Sequence, residues 1–283
     1  MKLENSILIA TSIAPYSRLN IQEKAISSWI DHGFAVQSLN TINEINLLQP
    51  KFPNVEFIIQ ARTASLAIGK PMIYISDILH HFRSQNHKIV GIINSDIFLT
   101  NEFNLIEYFS IMAKNSLIYG PRTEVEDFNT SKGTLDPLGF DFFFFDRNFL
   151  NCWPETKFCL GLPFWDHWFP LIPLLLNLKV KCLKKEFALH IPHPTSRDDS
   201  FFAFNNIFAS IVINLMETNS EFGKNFDTAA YQILTTNISD MDIENNTRKI
   251  EKNNVDKLAI FYDDLTKFVI KFLSSRSERV FLD

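Results

Sequence analysis

Between residues 7 and 97, short apolar runs of strand length alternate with segments of helical period, the pattern of a parallel sheet with crossover helices. Residues 7–10 and 36–39 predict the first two strands. Between them Ile21, Ala25, Trp29 and Ile30 mark one face of a helix that stops at Gly33, a C-terminal cap. A short segment at 42–48 and a turn through Pro50 and Pro53 lead to a third strand at 55–59. Pro71 suits a first helical turn and predicts a helix running to about Arg83. Residues 88–93 predict a fourth strand, which delivers the polar triplet Asn94, Ser95 and Asp96 at its end.

The second half changes character. Strands are predicted at 117–120 and 140–145, separated by a polar loop containing Gly and Pro. Beyond Asp199 the pattern is mainly helical, with an Asn-rich linker at 237–254 and a final amphipathic helix carrying Val255, Leu258, Phe261, Leu265, Phe268 and Phe272 at helical spacing. Two units follow from this: residues 1–199 as an α/β domain and 200–283 as a helical C-terminal extension. The final helix leaves open a peripheral membrane contact, a seam between two copies in a homo-oligomer, or simple cover for the sheet. The apolar run at 164–180 contains Pro170, Pro173, Asp166 and His167, which suits a buried helix better than a membrane span. The first fifteen residues carry Glu4 and only a short apolar run, and so read as a strand rather than a leader.

Composition narrows the function classes. A hydrophobic share of 46% and a charged share of 21% are those of a globular protein. A net charge of -5 argues against a nucleic-acid partner, since phosphate binding needs a basic surface. The three cysteines form no C-x-x-C pair, which fits a reducing, cytoplasmic setting, with the inner face of the membrane left open.

Three segments carry candidate chemistry. In GIINSDIFL, Asp96 follows a buried strand and stands where a parallel sheet binds ligands, so its carboxylate can hold a hard cation beside a diphosphate; a turn cap is the alternative. In GFDFFFFDRNFL and GLPFWDHWFPLIPLLLNLKV, Asp141 lies in a phenylalanine-rich strand and Asp166 at the start of a helix, where the dipole favours ionisation and proton acceptance from a hydroxyl. Trp165 and its neighbour His167 flank Asp166; an indole face suits a sugar ring, although core packing is the ordinary role of tryptophan. In ALHIPHPTSRD, His190 and His193 follow a strand end, and neutral imidazole ligates metals.

Together these segments resemble the GT-A glycosyltransferases, and within them a group carrying G-x-D-x-F-x-F, then G-x-P-x-W-D-N-W, then a histidine-containing strand end; here the residues read GFDFFFF, GLPFWDHW and LHIPH. The resemblance implies a GT-A-like, Rossmann-type, mostly parallel α/β sheet flanked by helices. It implies a transferase moving a sugar from a nucleotide-sugar donor to a hydroxyl of a glycan or glycolipid acceptor. Asn94 to Asp96 stands at the D-x-D position, with the first Asp replaced by Asn94. Asp96 and His190 would then ligate Mn²⁺ or Mg²⁺, and Asp166 would be the base of an inverting reaction. Thr11, Ser12, Arg62, Lys70, Asn94 and Ser95 would contact the nucleotide or diphosphate, while Asp141, Trp165 and His167 would face the acceptor or sugar. Two alternatives stand beside this reading. A nucleotidyltransferase would carry a Gly-rich loop after the first strand, which ATSIAPYSRLN lacks. A degenerate GT-A domain would bind without catalysis.

Overall fold

The computed structural model describes residues 7–129, 132–194, 199–224, 226 and 252–282. The first part runs β1 (Leu8–Thr11), α1 (Leu19–Asp31), β2 (Ala35–Asn40), α2 (Ile42–Leu48), β3 (Glu56–Ile59), α3 (Ser65–Ile68), α4 (Ile75–Arg83), β4 (Ile89–Ile93), β5 (Phe98–Leu99) and α5 (Leu105–Met112). There follow β6 (Leu117–Tyr119), β7 (Arg122–Glu124), β8 (Thr134–Asp136), β9 (Phe142–Asp146), α6 (Trp165–Leu175), β10 (Val180–Leu183), β11 (Ala188–His190), α7 (Asp199–Thr218), α8 (Lys252–Arg276) and β12 (Glu278–Val280).

Eight strands form one sheet in the order β12-β10-β6-β9-β4-β1-β2-β3. All run parallel except β9, which is antiparallel to both β4 and β6. The expected mixed, mostly parallel sheet flanked by helices, with a helical C-terminal extension, is therefore present. The chain moves outward from β1 through β2 to β3 and then returns to place β4 on the other side of β1. That reversal opens a crevice at the carboxyl ends of β1 and β4, the usual ligand position in such sheets. A second sheet, β5-β11-β7-β8, is built from the segments that leave the ends of β4, β6 and β10, and it stands beside that crevice.

The four phenylalanines of β9 show why the sheet is covered on both faces. Side chains alternate along a strand, so Phe142 and Phe144 join one apolar cluster with Trp29, Phe34 and Phe109. Phe143 and Phe145 join the other, with Trp153, Trp165 and Phe169. Gly91 in β4 is required by this packing, because a Cβ there would come within 2.9 Å of the Phe144 ring.

The helix expected from Pro71 begins later, at Ile75. Residues 71–74 are held extended instead: Tyr74 bridges Cys159, and the Leu160 amide donates to the Ile73 carbonyl at 2.9 Å. Most of the Asn-rich stretch, 237–251, lies outside the described residues. Helix α8 buries Phe261, Leu265, Val269 and Leu273 in the same cluster as α6 and α7, so its apolar face covers the core. Immediately after it, β12 adds a parallel edge strand to β10. No helix among the described residues is long and apolar enough to cross a membrane.

Candidate functional site

The loops leaving β1 and β4 are fastened to each other at the crevice. Gln22 of α1 accepts from the Ala14 amide at 2.9 Å and donates back to the Ala14 carbonyl at 2.9 Å. The same side chain accepts the Ser95 hydroxyl at 2.7 Å, tying the triplet after β4 to the loop after β1. Arg18, at the start of α1, adopts φ 47° and ψ 42°, a left-handed conformation that costs a residue with a Cβ roughly 1–2 kcal/mol. One guanidinium nitrogen donates to the Ile191 carbonyl at 2.7 Å. The other, Nη1, is buried without a hydrogen-bond partner and lies 3.6 Å from Asp96 Oδ2.

Asp96 is the centre of a cluster. Its Oδ2 is 3.5 Å from His190 Nε2 and 3.6 Å from His193 Nε2, and one donor atom from each of the three residues falls within 4.8 Å of the others. These spacings are long for hydrogen bonds, but two atoms bound to one ion at about 2.1 Å stand roughly 3.0–3.5 Å apart. The residues therefore fit a divalent cation with little movement. Burial opposes ionisation of Asp96, yet the polar contacts with His190 and His193 outweigh it and hold the carboxyl well below the usual carboxylate range. Contact with Asp96 in turn raises His193 above its ordinary value. His190 Nδ1, buried and without a hydrogen-bond partner, faces Glu124 Oε1 at 3.4 Å.

A second carboxylate group lies alongside. Asp141, just before β9, accepts from Asn94 Nδ2 at 2.5 Å and from Arg122 Nη1 at 2.6 Å. Arg122 also pairs with Glu124 at 3.0 Å and Asp136 at 3.1 Å, so one guanidinium is shared by three acids. The Asn94 Oδ1 is left buried and without a partner. Beyond Phe140, Asp166 occupies the first turn of α6, preceded by Phe164 at φ 73°, another left-handed residue with a bulky side chain. Burial raises the Asp166 carboxyl above its ordinary value, His167 pulls it down less than burial lifts it, and Asp141 adds to the rise. His167 Nε2 sits 2.9 Å from the Leu138 carbonyl, and its Nδ1 faces Asp166 Oδ1 at 3.3 Å.

The chain is similar in layout to several solved structures. S. aureus TarS 1-349 matches over 96% of this chain and 83% of its own, at 10% identity and a TM-score of 0.48. The 4-diphosphocytidyl-2C-methyl-D-erythritol synthase of Anaerococcus prevotii matches over 74% of this chain and 96% of its own, at 11% identity and a TM-score of 0.42. HddC from Yersinia pseudotuberculosis matches over 66% and 89%, at 12% identity and a TM-score of 0.36. At such values these likenesses say nothing about chemistry. No family model matches the chain, and no curated protein does.

Asn94, Ser95, Asp96, Asp141, Asp166, His167 and His190 thus gather at one edge of the sheet. Several of the other expected contacts are engaged within the protein. Thr11 is fully buried and its hydroxyl donates to the Ile93 carbonyl at 2.7 Å, so its side chain ties β1 to β4. Trp165 is 1% exposed, edge-on to Phe143, and is a core residue rather than a sugar platform. Arg62 pairs with Asp77 at 3.1 Å and lies 4.7 Å over the Tyr74 ring. Lys70 lies just after α3. Ser12, partly exposed, follows β1 at the crevice. The carboxylate of Asp141 is used by Asn94 and Arg122, which makes it a positioning group. Sequence reasoning missed Arg18, Arg122 and Glu124, and gave His193 no place in the ligand set. The H-x-x-H spacing was the one available signal, because the others depend on loop conformation.

Proposed function

We propose that the protein is a glycosyltransferase of the GT-A type, which binds a nucleotide-sugar across the crevice between β1 and β4 and transfers the sugar to a hydroxyl of a glycan or glycolipid. The observation that carries this reading is the cluster of Asp96, His190 and His193 beside the orphaned Nη1 of Arg18. A carboxylate and two imidazoles suit a transition ion such as Mn²⁺ better than Mg²⁺, which prefers oxygen ligands and retained waters. Bound there, such an ion supplies charge neutralisation to the diphosphate that leaves with the nucleoside.

The chain's own groups do the rest. Arg18 Nη1, a buried donor lacking an acceptor, donates to a phosphate oxygen. The unpartnered Asn94 Oδ1 accepts from a hydroxyl of the donor. Asp166, whose raised carboxyl favours holding a proton, removes the proton of the acceptor hydroxyl as that oxygen attacks the anomeric carbon, with inversion. The missing first aspartate of a D-x-D motif has a structural counterpart. Asn94 neutral is what Asp141 requires at 2.5 Å, since a second carboxylate there would meet the first head-on.

Thermal shift against UDP-, GDP-, CMP- and dTDP-sugars, with and without Mn²⁺, tests the reading. A ligand of the native state raises Tm by mass action. A Mn²⁺-dependent rise with one nucleotide, lost in Asp96→Ala, supports it. The absence of a rise with every donor favours a domain that has lost catalysis.

A further inference from the structure

The opposite, amino-terminal edge of the sheet holds a cleft of about 800 Å³ between the start of β4, the end of α5 and the end of β9. Its volume is that of a small-molecule site. Three cations line it: Lys88, Lys114 and Arg147. Neither lysine makes an ion pair with the described residues, and both side chains are exposed at the rim. Arg147 donates to the Gln85 carbonyl and is shared with a neighbouring hollow of about 220 Å³ that Arg83 also lines.

Two acids also line the cleft, but they are engaged. Asp146 accepts the Asn115 amide at 2.8 Å on one oxygen and the Asn148 amide at 2.9 Å on the other. Glu107 takes the Asn104 side chain at 2.7 Å, at the start of α5. The floor includes Ile89 and Ile106. His87 lines the same cleft with 8% exposure, and both of its ring nitrogens are buried without a hydrogen-bond partner. Burial, then the nearby Arg147, keeps its imidazole below the ordinary histidine value, so at neutral pH it offers one donor and one acceptor. An orphaned buried imidazole beneath a cationic rim is costly unless a ligand pairs with it.

We infer that this cleft is a second binding site, for a small phosphate ester that bears hydroxyl groups. The phosphate meets Lys88, Lys114 and Arg147, and a hydroxyl, which donates and accepts, pairs with His87. The site lies at the other end of the strands from Asp96 and requires no transfer chemistry.

Thermal shift with glucose 1-phosphate and, separately, inorganic phosphate, on the full chain at low ionic strength, tests the inference. The expected result is a rise of several degrees with the ester, a much smaller one with inorganic phosphate, loss of the rise in K88A/K114A, and its retention in Asp96→Ala. Both lysines are exposed, so the double variant should fold; Lys114→Glu alone serves as the second variant and should weaken the response at least tenfold in concentration. Equal shifts with ester and inorganic phosphate would mean an adventitious ion only. A rise unaffected by the lysine variants, or lost in Asp96→Ala, would place the ester elsewhere and overturn the inference, as would no rise at all.

Discussion

Asp96 and Asp166 stand at the same edge of one sheet, and their surroundings push them in opposite directions. Asp96 has two imidazole nitrogens within 3.6 Å and an arginine behind it, so its negative charge is welcome despite burial. Asp166 is lifted by burial and by Asp141, with one imidazole that only partly offsets them. Two carboxyl groups separated in this way are suited to two tasks, one to hold a cation and remain ionised, the other to take a proton. Between them, Asp141 accepts from neutral Asn94 on the Asp96 side and pairs with Arg122, while its charge still reaches Asp166.

Breaking the Asp96 side should have the largest effect. His193→Ala is expected to weaken Mn²⁺ binding more than ~100-fold, and Glu124→Gln, which removes the carboxylate charge 3.4 Å from His190 Nδ1, by roughly 10-fold; calorimetric titration of Mn²⁺ measures both. A His193→Ala protein with unaltered Mn²⁺ affinity would remove that residue from the ligand set.

The partition between the two sides can be attacked next. Asn94→Asp places a second carboxylate against Asp141, where Asn94 now donates at 2.5 Å, and should cost about 1–3 kcal/mol of stability in urea unfolding at neutral pH, shrinking as the solution is acidified. If Asn94→Asp instead strengthened Mn²⁺ binding without loss of stability, the description of Asp141 as a positioning group would be wrong. Thr11→Val tests the opposite claim, that Thr11 only ties β1 to β4. It should cost ~1 kcal/mol for the lost bond to Ile93 and leave donor affinity unchanged.

The smallest effect is on the Asp166 side, in stability. Its carboxyl is raised in the folded state, so the group contributes stability below the unfolded carboxylate value and loses it as pH rises through the folded one. Asp166→Asn should therefore melt slightly higher than the parent at pH 7, and the gain should disappear as pH falls towards 4, a range set by the ordinary carboxylate value of roughly 3.9. A gain that instead grew in acid would contradict the sign of the shift.

Much of the β1 to β4 half was legible because its strands and helices are long enough for periodicity to show, and because Asn94 to Asp96 ends a strand whose burial is plain from its residues. Asp166 was placed at a helix start by its Gly-Leu-Pro approach, as found. The second sheet was not legible. Its strands are two or three residues long and exist because β11 pairs with β5 and β7, a matter of tertiary placement. Arg18 reached the cluster through a left-handed backbone that no sequence pattern marks, and the C-terminal strand β12 follows a long helix without a turn signal. Trp165 and Thr11 were misplaced for a shared reason: a residue type suited to ligand contact can satisfy itself inside the protein, by packing in one case and by a backbone carbonyl in the other.

The most direct test of the division between the two carboxylates is to measure donor affinity and turnover together in Asp96→Ala and Asp166→Asn, with Mn²⁺ and the nucleotide-sugar found by thermal shift. Asp96→Ala should lose donor binding, and turnover with it. Asp166→Asn should bind the donor as the parent does while its turnover falls on the order of 10²- to 10⁴-fold. Equal loss of donor affinity in both, or full turnover in Asp166→Asn, would contradict the assignment.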